Sequence, residues 1–376
     1  MPDVSAAPRV SVIVPTHNRV HYLVPALDSV LAQTLPGVEI IVVDDGSTDG
    51  TEARVREYGD RVRYVRMAHQ GAAVARNVGA EAARGEYVAW LDDDDEYRPH
   101  KLALQAEVLD TWPEVGFVYT EMSAFDDKGF ADEWHLRRYH ASAYKGVTYE
   151  DLFPQRYRLA ETPLAPLIGV AGPSQWGDRY LYIGSIFDAY LHGTLVFTNS
   201  ILFRRGLLAR CGPQQPRFGL AHDYEFVLRL SRLAPAAFLD VPTYRLRYHP
   251  GQVSTSARPG GKLVTIRKQR DFLRVLKTFV RSNPAYCRAH RAELDRQLGR
   301  LHRAVAIPML AYVPRTPHEA RLYRRQARRH LRRAARLGVP DWKALLLSFV
   351  PRGVLDVAHR TVLGLRRRRA TDVPTP

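Results

Sequence analysis

The first 120 residues alternate short apolar runs with stretches of helical spacing. Residues 10–14, 39–43, 62–66 and 87–91 read as strands, and the stretches between them read as helices over 22–33, from Asp49 onward, and over 71–83. Asp49 with Glu52 three residues on predicts a cap for the second helix, and Val74 and Val78 fall on one face of the third. The run 87–91 is apolar on both faces, the pattern of a central parallel strand. Such alternation predicts an α/β fold, a mostly parallel sheet flanked by helices, with ligands taken at the carboxyl ends of its strands. Beyond residue 120 the pattern loosens. Residues 121–192 hold many aromatics with Pro163, Pro166 and Pro173 and predict no definite element. Residues 194–203 read as a strand, a helix begins near His222 and Asp223 with Phe226, Val227 and Leu230 inward, and 244–248 reads as a further strand. Residues 262–336 read as arginine-rich helices.

Three of the predicted strands end in polar loops on one edge of the sheet: Pro15-Thr16-His17-Asn18-Arg19, Asp44-Asp45-Gly46-Ser47 and Asp92-Asp93-Asp94-Asp95. Four consecutive aspartates repel one another unless the turn is well solvated or a cation sits there. Their place after a buried strand favours an oxygen-preferring divalent cation over a solvated turn. A calcium loop of EF-hand type is excluded, because Tyr97 stands where that loop requires glycine. Asp44 and Asp45 suit ring N–H and sugar hydroxyl donors, and they suit an Asp-Gly-Ser turn as well. Asp223 opens a helix whose unpaired N–H groups keep it anionic, which serves proton abstraction and helix capping alike. His249 follows the last strand, as a metal ligand or as an ordinary histidine.

With 376 residues, 45% of them hydrophobic, the chain can bury a full core. Two cysteines, Cys211 and Cys287, make neither a disulfide framework nor a zinc spacing, which predicts a reducing compartment. The opening residues carry an acid and run straight into a strand, without the basic and apolar regions of a signal peptide, and so predict a cytoplasmic protein. The longest apolar stretches, 304–313 and 344–350, fall short of the roughly 20 residues a spanning helix needs. The net charge of +16 is unevenly placed. Residues 1–257 carry 26 Lys+Arg against 32 Asp+Glu, net −6, whereas residues 258–369 carry 29 against 6, net +23. That split predicts chemistry in the first part and contact with an anionic surface in the second. No GxGxxG follows the first strand, and GxxxxGK[ST], GxSxG and HExxH do not occur. Dinucleotide dehydrogenases, P-loop NTPases, common esterases and zinc proteases are thereby disfavoured.

The stretches VSVIVPTHNR (10–19), VVDDGSTDGT (42–51), GAAVARNVGA (71–80), GEYVAWLDDDDEY (85–97) and AHDYEFVLRL (221–230), in this order and spacing, resemble the family 2 glycosyltransferases. The resemblance covers residues 8–257 and implies a GT-A type, Rossmann-like fold, with a nucleotide-sugar half over 8–120 and an acceptor half over 121–257. The basic helical region, 258–376, lies outside it. It implies that Pro15, Thr16, Asn18 and Arg19 line the nucleotide pocket, that Asp44 or Asp45 reads base and ribose, and that Arg76 holds the nucleotide. Asp92 and Asp94 match the DxD pattern, with Asp92 and Asp93 on the donor and Asp94 contacting a divalent metal, Mg²⁺ or Mn²⁺. Asp223 matches the catalytic base, although His222 replaces the acidic residue that often precedes it, and His249 matches a late histidine that completes the metal site. The implied reaction is a single inverting displacement from a nucleoside-diphosphate sugar to a saccharide or lipid-linked acceptor, in cell-surface polysaccharide or glycolipid synthesis.

The basic third supports two further readings. Arg328, Arg329, Arg332, Arg333 and Arg336 fall on neighbouring helix positions, with more arginines at 366–369 and an apolar stretch at Leu345, Leu346, Leu347, Phe349 and Val350. This suits an anionic membrane surface on the inner face of the plasma membrane, or a solvated tail. Nucleic acid is the rival partner by charge alone, yet no zinc finger, RNA-recognition signature or clear helix-turn-helix accompanies it. A nucleotidyltransferase would share such a sheet and its aspartates, but would carry a glycine-rich basic loop where this chain has Pro-Thr-His-Asn-Arg. A silent relative that only binds nucleotide is opposed by the retention of Asp94 and Asp223.

Overall fold

The computed structural model describes residues 7–252, 261–312 and 316–350, and the chain divides into two compact units, Met1–Val253 and Ser254–Pro376. The first unit opens with β1 (Val10–Thr16), β2 (Val38–Asp44), β3 (Arg63–Arg66) and β4 (Tyr87–Trp90), joined by α1 (Val20–Leu31), α2 (Thr51–Arg56) and α3 (Ala72–Ala82). These strands are all parallel, in the order β3-β2-β1-β4. Every residue of β1 and β4 is buried, as central strands require, whereas β3 is flanked by exposed arginines and forms the edge. Helix α1 buries Leu23, Ala26, Leu27 and Val30, one stripe at helical spacing.

One local expectation is corrected. The second helix is entered through Gly50, whose φ of 83° places Asp49 one residue outside the cap position. From there Asp49 still accepts the Thr51 N–H at 3.3 Å, along with the Thr51 hydroxyl and the Val20 N–H, and Glu52 pairs with Arg56 and Arg66. Helix α3 turns Ala73, Ala75, Arg76 and Gly79 inward, while Val74 and Val78 are only half-buried. The reason is the approach of Gly79 to β1, where a Cβ would stand 2.3 Å from Ile13 Cγ2; a valine face has no room there.

The rest of the unit continues with β5 (Glu96–Tyr97), α4 (Lys101–Thr111), β6 (Phe117–Asp126), β7 (Ala131–Asp132), α5 (Leu136–Tyr139), α6 (Tyr149–Leu152) and β8 (Gln155–Arg158). It closes with α7 (Ala165–Ala171), β9 (Tyr180–Gly184), α8 (Phe187–His192), β10 (Leu202–Arg204), α9 (Leu207–Cys211), α10 (His222–Leu233) and β11 (Ala236–Tyr248). One mixed sheet results, β3-β2-β1-β4-β10-β6-β11-β9-β8, with β5 on β11 and β7 on β6. Strand β10 enters antiparallel between β4 and β6. The strand expected over 194–203 shrinks to these three residues, because its upstream part turns at Thr198–Ser200, where the Ser200 hydroxyl bonds the Phe197 carbonyl. Conversely, the strand expected over 244–248 begins at Ala236 and carries its register shifts around Pro242. Helix α10 starts at His222 and buries Phe226, Val227 and Leu230 as expected.

The second unit is helical: α11 (Gly261–Ser282), α12 (Pro284–Ala289), α13 (Arg291–Ala311), α14 (Pro317–Arg336) and α15 (Trp342–Leu347). Its core joins Ile266 and Leu273 to Val305, Ala306 and Met309, with Ala327, Leu331 and Ala344 closing it. The arginines at 366–369 lie outside the described residues. Among the described residues no helix is long and apolar enough to cross a membrane.

Candidate active site

The ends of β1, β2, β3 and β4 meet the end of β11 along one edge of the sheet, and the site is assembled there. The four aspartates after β4 are put to four uses. Asp92 pairs with Arg76, which reaches it from α3 and also approaches the Asn199 side-chain oxygen at 3.4 Å. Asp93 accepts from the Thr16 hydroxyl at 2.7 Å and from Arg19 at 3.2 Å. Burial, with the charge of Asp94 beside it, pushes the Asp93 carboxyl up to about 7. Asp94 Oδ2 lies 2.7 Å from the Arg19 guanidinium and 3.0 Å from His249 Nε2. Burial opposes its ionisation, but the His249 hydrogen bond and the Arg19 charge outweigh that and hold it below the usual carboxylate range. Asp95 faces inward, accepting from the Tyr244 hydroxyl and from the Arg247 N–H at 2.8 Å, so it fastens the loop to β11.

His249 is brought to Asp94 from 155 positions away. Its Nδ1 accepts the Gly251 N–H at 3.1 Å, so Nε2 carries the proton and donates to Asp94. The Tyr22 ring packs against the imidazole at a centroid distance of 4.2 Å. Asp92, Asp94 and Asp95 form one carboxylate group compact enough to share a cation, and Asp94 and His249 converge on the same place. One nitrogen among carboxylate oxygens is a donor set that Mn²⁺ accepts readily and Mg²⁺ less so. The Arg76 Nε, buried and without a hydrogen-bond partner, is a donor left over for an anion.

The loops after β1 and β2 lock each other. Asn18 adopts φ 53° and its side-chain oxygen accepts the Thr48 N–H at 2.7 Å, while its own N–H meets the Ser47 hydroxyl at 2.9 Å. Pro15 is buried within β1. Asp44 is fully enclosed, one oxygen taking the Ser47 N–H at 2.7 Å and the other the Tyr64 hydroxyl. Asp45 takes the N–H groups of Gln70 and Gly71 at 2.6 and 2.8 Å, which fixes the entry to α3. Asn18, Asp44 and Asp45 thus spend their side chains on the walls of the site.

What faces outward instead is a pair of histidines that the motif reading passed over. His17 and His69 stack at 4.2 Å; His17 directs Nδ1 at the Asp45 carbonyl at 2.7 Å, and His69 Nδ1 lies between that carbonyl, at 3.1 Å, and the Asp45 carboxylate, at 2.9 Å. Their signal in the sequence was position, since each follows a parallel strand on the active edge. Asn199 and Gln214, which accepts from His222 Nδ1 at 2.8 Å, carried no such signal. Asp223 lies in the first turn of α10, half-buried, with Oδ1 accepting the Tyr224 N–H at 2.7 Å. Burial lowers the neighbouring His222 to about 4, the Asp223 charge opposing and the Arg76 charge reinforcing that shift. His222 is therefore neutral near pH 7 and places no cation beside Asp223.

Residues 11–167 match the family model described as Glycosyl transferase family 2. An uncharacterized glycosyltransferase of Rickettsia prowazekii (strain Madrid E) is 42% identical over 253 residues, 67% of this chain and 67% of that protein. A putative teichuronic acid biosynthesis glycosyltransferase, TuaG of Bacillus subtilis (strain 168), is 44% identical over 106 residues, 27% of this chain and 42% of its own length. Among solved structures, the mannosyltransferase PcManGT from Pyrobaculum calidifontis in complex with GDP-Man and Mn²⁺ aligns with 93% of this chain and 88% of its own, at 19% identity and a TM-score of 0.46.

Proposed function

This chain belongs to glycosyl transferase family 2, and from that premise we propose that it moves a sugar from a nucleoside-diphosphate donor to an acceptor hydroxyl with inversion, assisted by a divalent metal. The observation that carries the reading is the meeting of Asp94, His249 and Arg19 at the carboxyl edge, beside an Arg76 Nε left without an acceptor. Asp94 and Asp92 would hold the cation, with His249 joining through Nε2 once the proton it gives to Asp94 has moved to Nδ1 in place of the Gly251 contact, a donor set that suits Mn²⁺ more readily than Mg²⁺. When bound, it supplies Lewis-acid neutralisation of the departing diphosphate. Arg76 and Arg19 face the same anionic group, and Thr16 holds Asp93 in place beside them. Asp44 and Asp45, expected to read base and ribose, and Asn18, expected to line the pocket, act by fixing the loops, and the His17–His69 pair offers the ring surface on which a base stacks.

Asp223 is the proposed base. It takes the proton of the acceptor hydroxyl as that oxygen attacks the anomeric carbon from the face opposite the leaving diphosphate. A neutral His222 leaves the carboxylate free of a cationic partner and able to accept that proton. The acceptor is a saccharide or a lipid-linked saccharide presented at an anionic membrane surface, on the cytoplasmic side. The putative role of the Bacillus subtilis relative in teichuronic acid biosynthesis supports cell-surface polysaccharide as its class.

Thermal shift with nucleoside diphosphates and their sugars, with and without Mn²⁺, tests the reading. A ligand at 100 times its Kd stabilises by about 2.7 kcal/mol, and Asp94→Ala should remove the Mn²⁺-dependent part of that shift. Shifts that are identical with chelator and in Asp94→Ala would sink the metal assignment. No shift with UDP, GDP or dTDP compounds, together with salt-sensitive DNA binding, would replace transfer by a nucleic-acid role.

A further inference from the structure

The second unit carries a charged surface that its own fold does not use. In α14, Arg321, Arg325, Arg329, Arg332 and Arg336 are all exposed. At about 100° per residue they fall within an arc of about 80°, and the row runs about 22 Å along the helix. The ion pairs of this unit among the described residues engage Arg274, His290, Arg291 and Arg303, and none reaches a member of the row. Among the described residues none of these exposed cations has an ion-pair partner, so the row contributes repulsion to the fold and a concentrated positive field to its surroundings.

Beside the row lies exposed apolar surface. Helix α15 buries Ala344 in the core but leaves Trp342 62% exposed and, one turn on along the same face, Leu346 69% exposed. Phe349, 56% exposed, follows in the next turn. The two features are adjacent: the Arg328 guanidinium stands 4.9 Å over the Phe349 ring and bonds the Ser348 carbonyl at 2.8 Å, while Arg324 bonds the Val350 carbonyl. Arg324 and Arg328 occupy the helix positions next to the arginine row, so the end of α15 is pinned along the row's flank.

We propose that this composite face docks on the headgroup region of an anionic lipid bilayer, the arginine row meeting lipid charge and Trp342, Leu346 and Phe349 entering the interface. Charge complementarity selects an anionic partner, and large apolar side chains standing in water beside the cations select a lipid interface. Duplex nucleic acid would satisfy the arginines but gives Leu346 nothing to bury against. The proposal extends the membrane part of the proposed function to a defined surface, and it stands on the second unit alone.

The full chain should co-sediment with phosphatidylcholine vesicles containing 30% phosphatidylglycerol and not with pure phosphatidylcholine, and Trp342 emission, isolated from the other four tryptophans as the difference between the parent and Trp342→Phe, should shift to the blue on binding. Arg325→Gln with Arg329→Gln should weaken vesicle binding about 30-fold, from about 1 kcal/mol per arginine near the surface. Trp342→Ser with Leu346→Ser should weaken it at least tenfold while leaving the thermal shift with nucleotide unchanged. That last readout belongs to the first unit, so failure of docking and failure of the transferase reading are separable. Equal binding to neutral vesicles, or tighter binding to duplex DNA that ignores the Trp342 and Leu346 changes, overturns the proposal. So does a Trp342 emission already blue-shifted in the free protein and unmoved by vesicles, which would mean that the face is covered from within the chain.

Discussion

Gly79→Ala is a one-carbon change that should cost both stability and donor binding. A Cβ at Gly79 meets Ile13 Cγ2 at 2.3 Å, Ile13 Cγ1 at 3.1 Å and Val43 Cγ2 at 3.2 Å. Carbon atoms pack at about 3.5–4.0 Å, so the closest contact is short by more than an ångström. Ile13 cannot recede, because β1 is hydrogen-bonded to β2 on one side and to β4 on the other, and both Ile13 and Val43 are fully buried. Helix α3 must therefore lift. Alanine's better helix propensity offsets about 1 kcal/mol, while overpacking of a tight core costs about 1–3 kcal/mol, here at the upper end. The net loss is about 1–2 kcal/mol. Arg76 sits one turn earlier on the same buried face, so a lifted α3 carries it away from Asp92 and should weaken nucleotide affinity in step. Urea denaturation of the single and double variants with Ile13→Ala measures the coupling. Ile13→Ala removes both γ carbons and alone costs about 2–5 kcal/mol, but in the double variant the new methyl enters the space it leaves, giving a favourable coupling of about 1 kcal/mol or more. Ile13→Val keeps both γ carbons and should give no relief. Additive costs in the Ala/Ala pair, or a Gly79→Ala protein as stable as the parent, would refute the reasoning.

Asp223→Asn should retain the fold and donor-induced thermal shift while transfer falls by about 100-fold or more, the typical loss for a general base; normal turnover by that variant would reject the assignment. His302 and His330 share a proton across 2.8 Å between α13 and α14, and burial, with Lys277 nearby, lowers them to about 3 and about 4. Unfolded histidine titrates near 6.5, so below that pH the unfolded chain binds more protons than the folded one. The stability this pair contributes is present above pH 6.5 and is lost as pH falls toward 4, on the order of 2 kcal/mol after allowance for solvent screening. Hydrogen exchange in α13 and α14 should accelerate between pH 7 and pH 5 relative to the intrinsic rate, and His302→Leu should flatten that dependence; no change in the parent would dismiss it.

Much of the parallel part of the sheet was legible because its information is local. The strands β1, β2 and β4 are continuous apolar runs, short connections force them parallel through helices, and that connectivity alone sends Thr16, Asp44 and Asp92 to one edge. The helix at His222 was equally plain from Phe226, Val227 and Leu230. Where a local cue had two structural solutions it misled: Gly50 took the cap position expected of Asp49.

Tertiary structure alone decided how the aspartate run is shared out. Nothing in four identical residues says that Asp93 turns to Thr16, Asp94 to Arg19 and His249, and Asp95 to Tyr244. Nor does any periodicity place β10 between β4 and β6, or stack His17 on His69. Local sequence determines element type and direction through side-chain spacing and backbone preference. Contacts between residues 50 to 155 positions apart depend on which packed surfaces meet, and that is settled only when the whole core has closed.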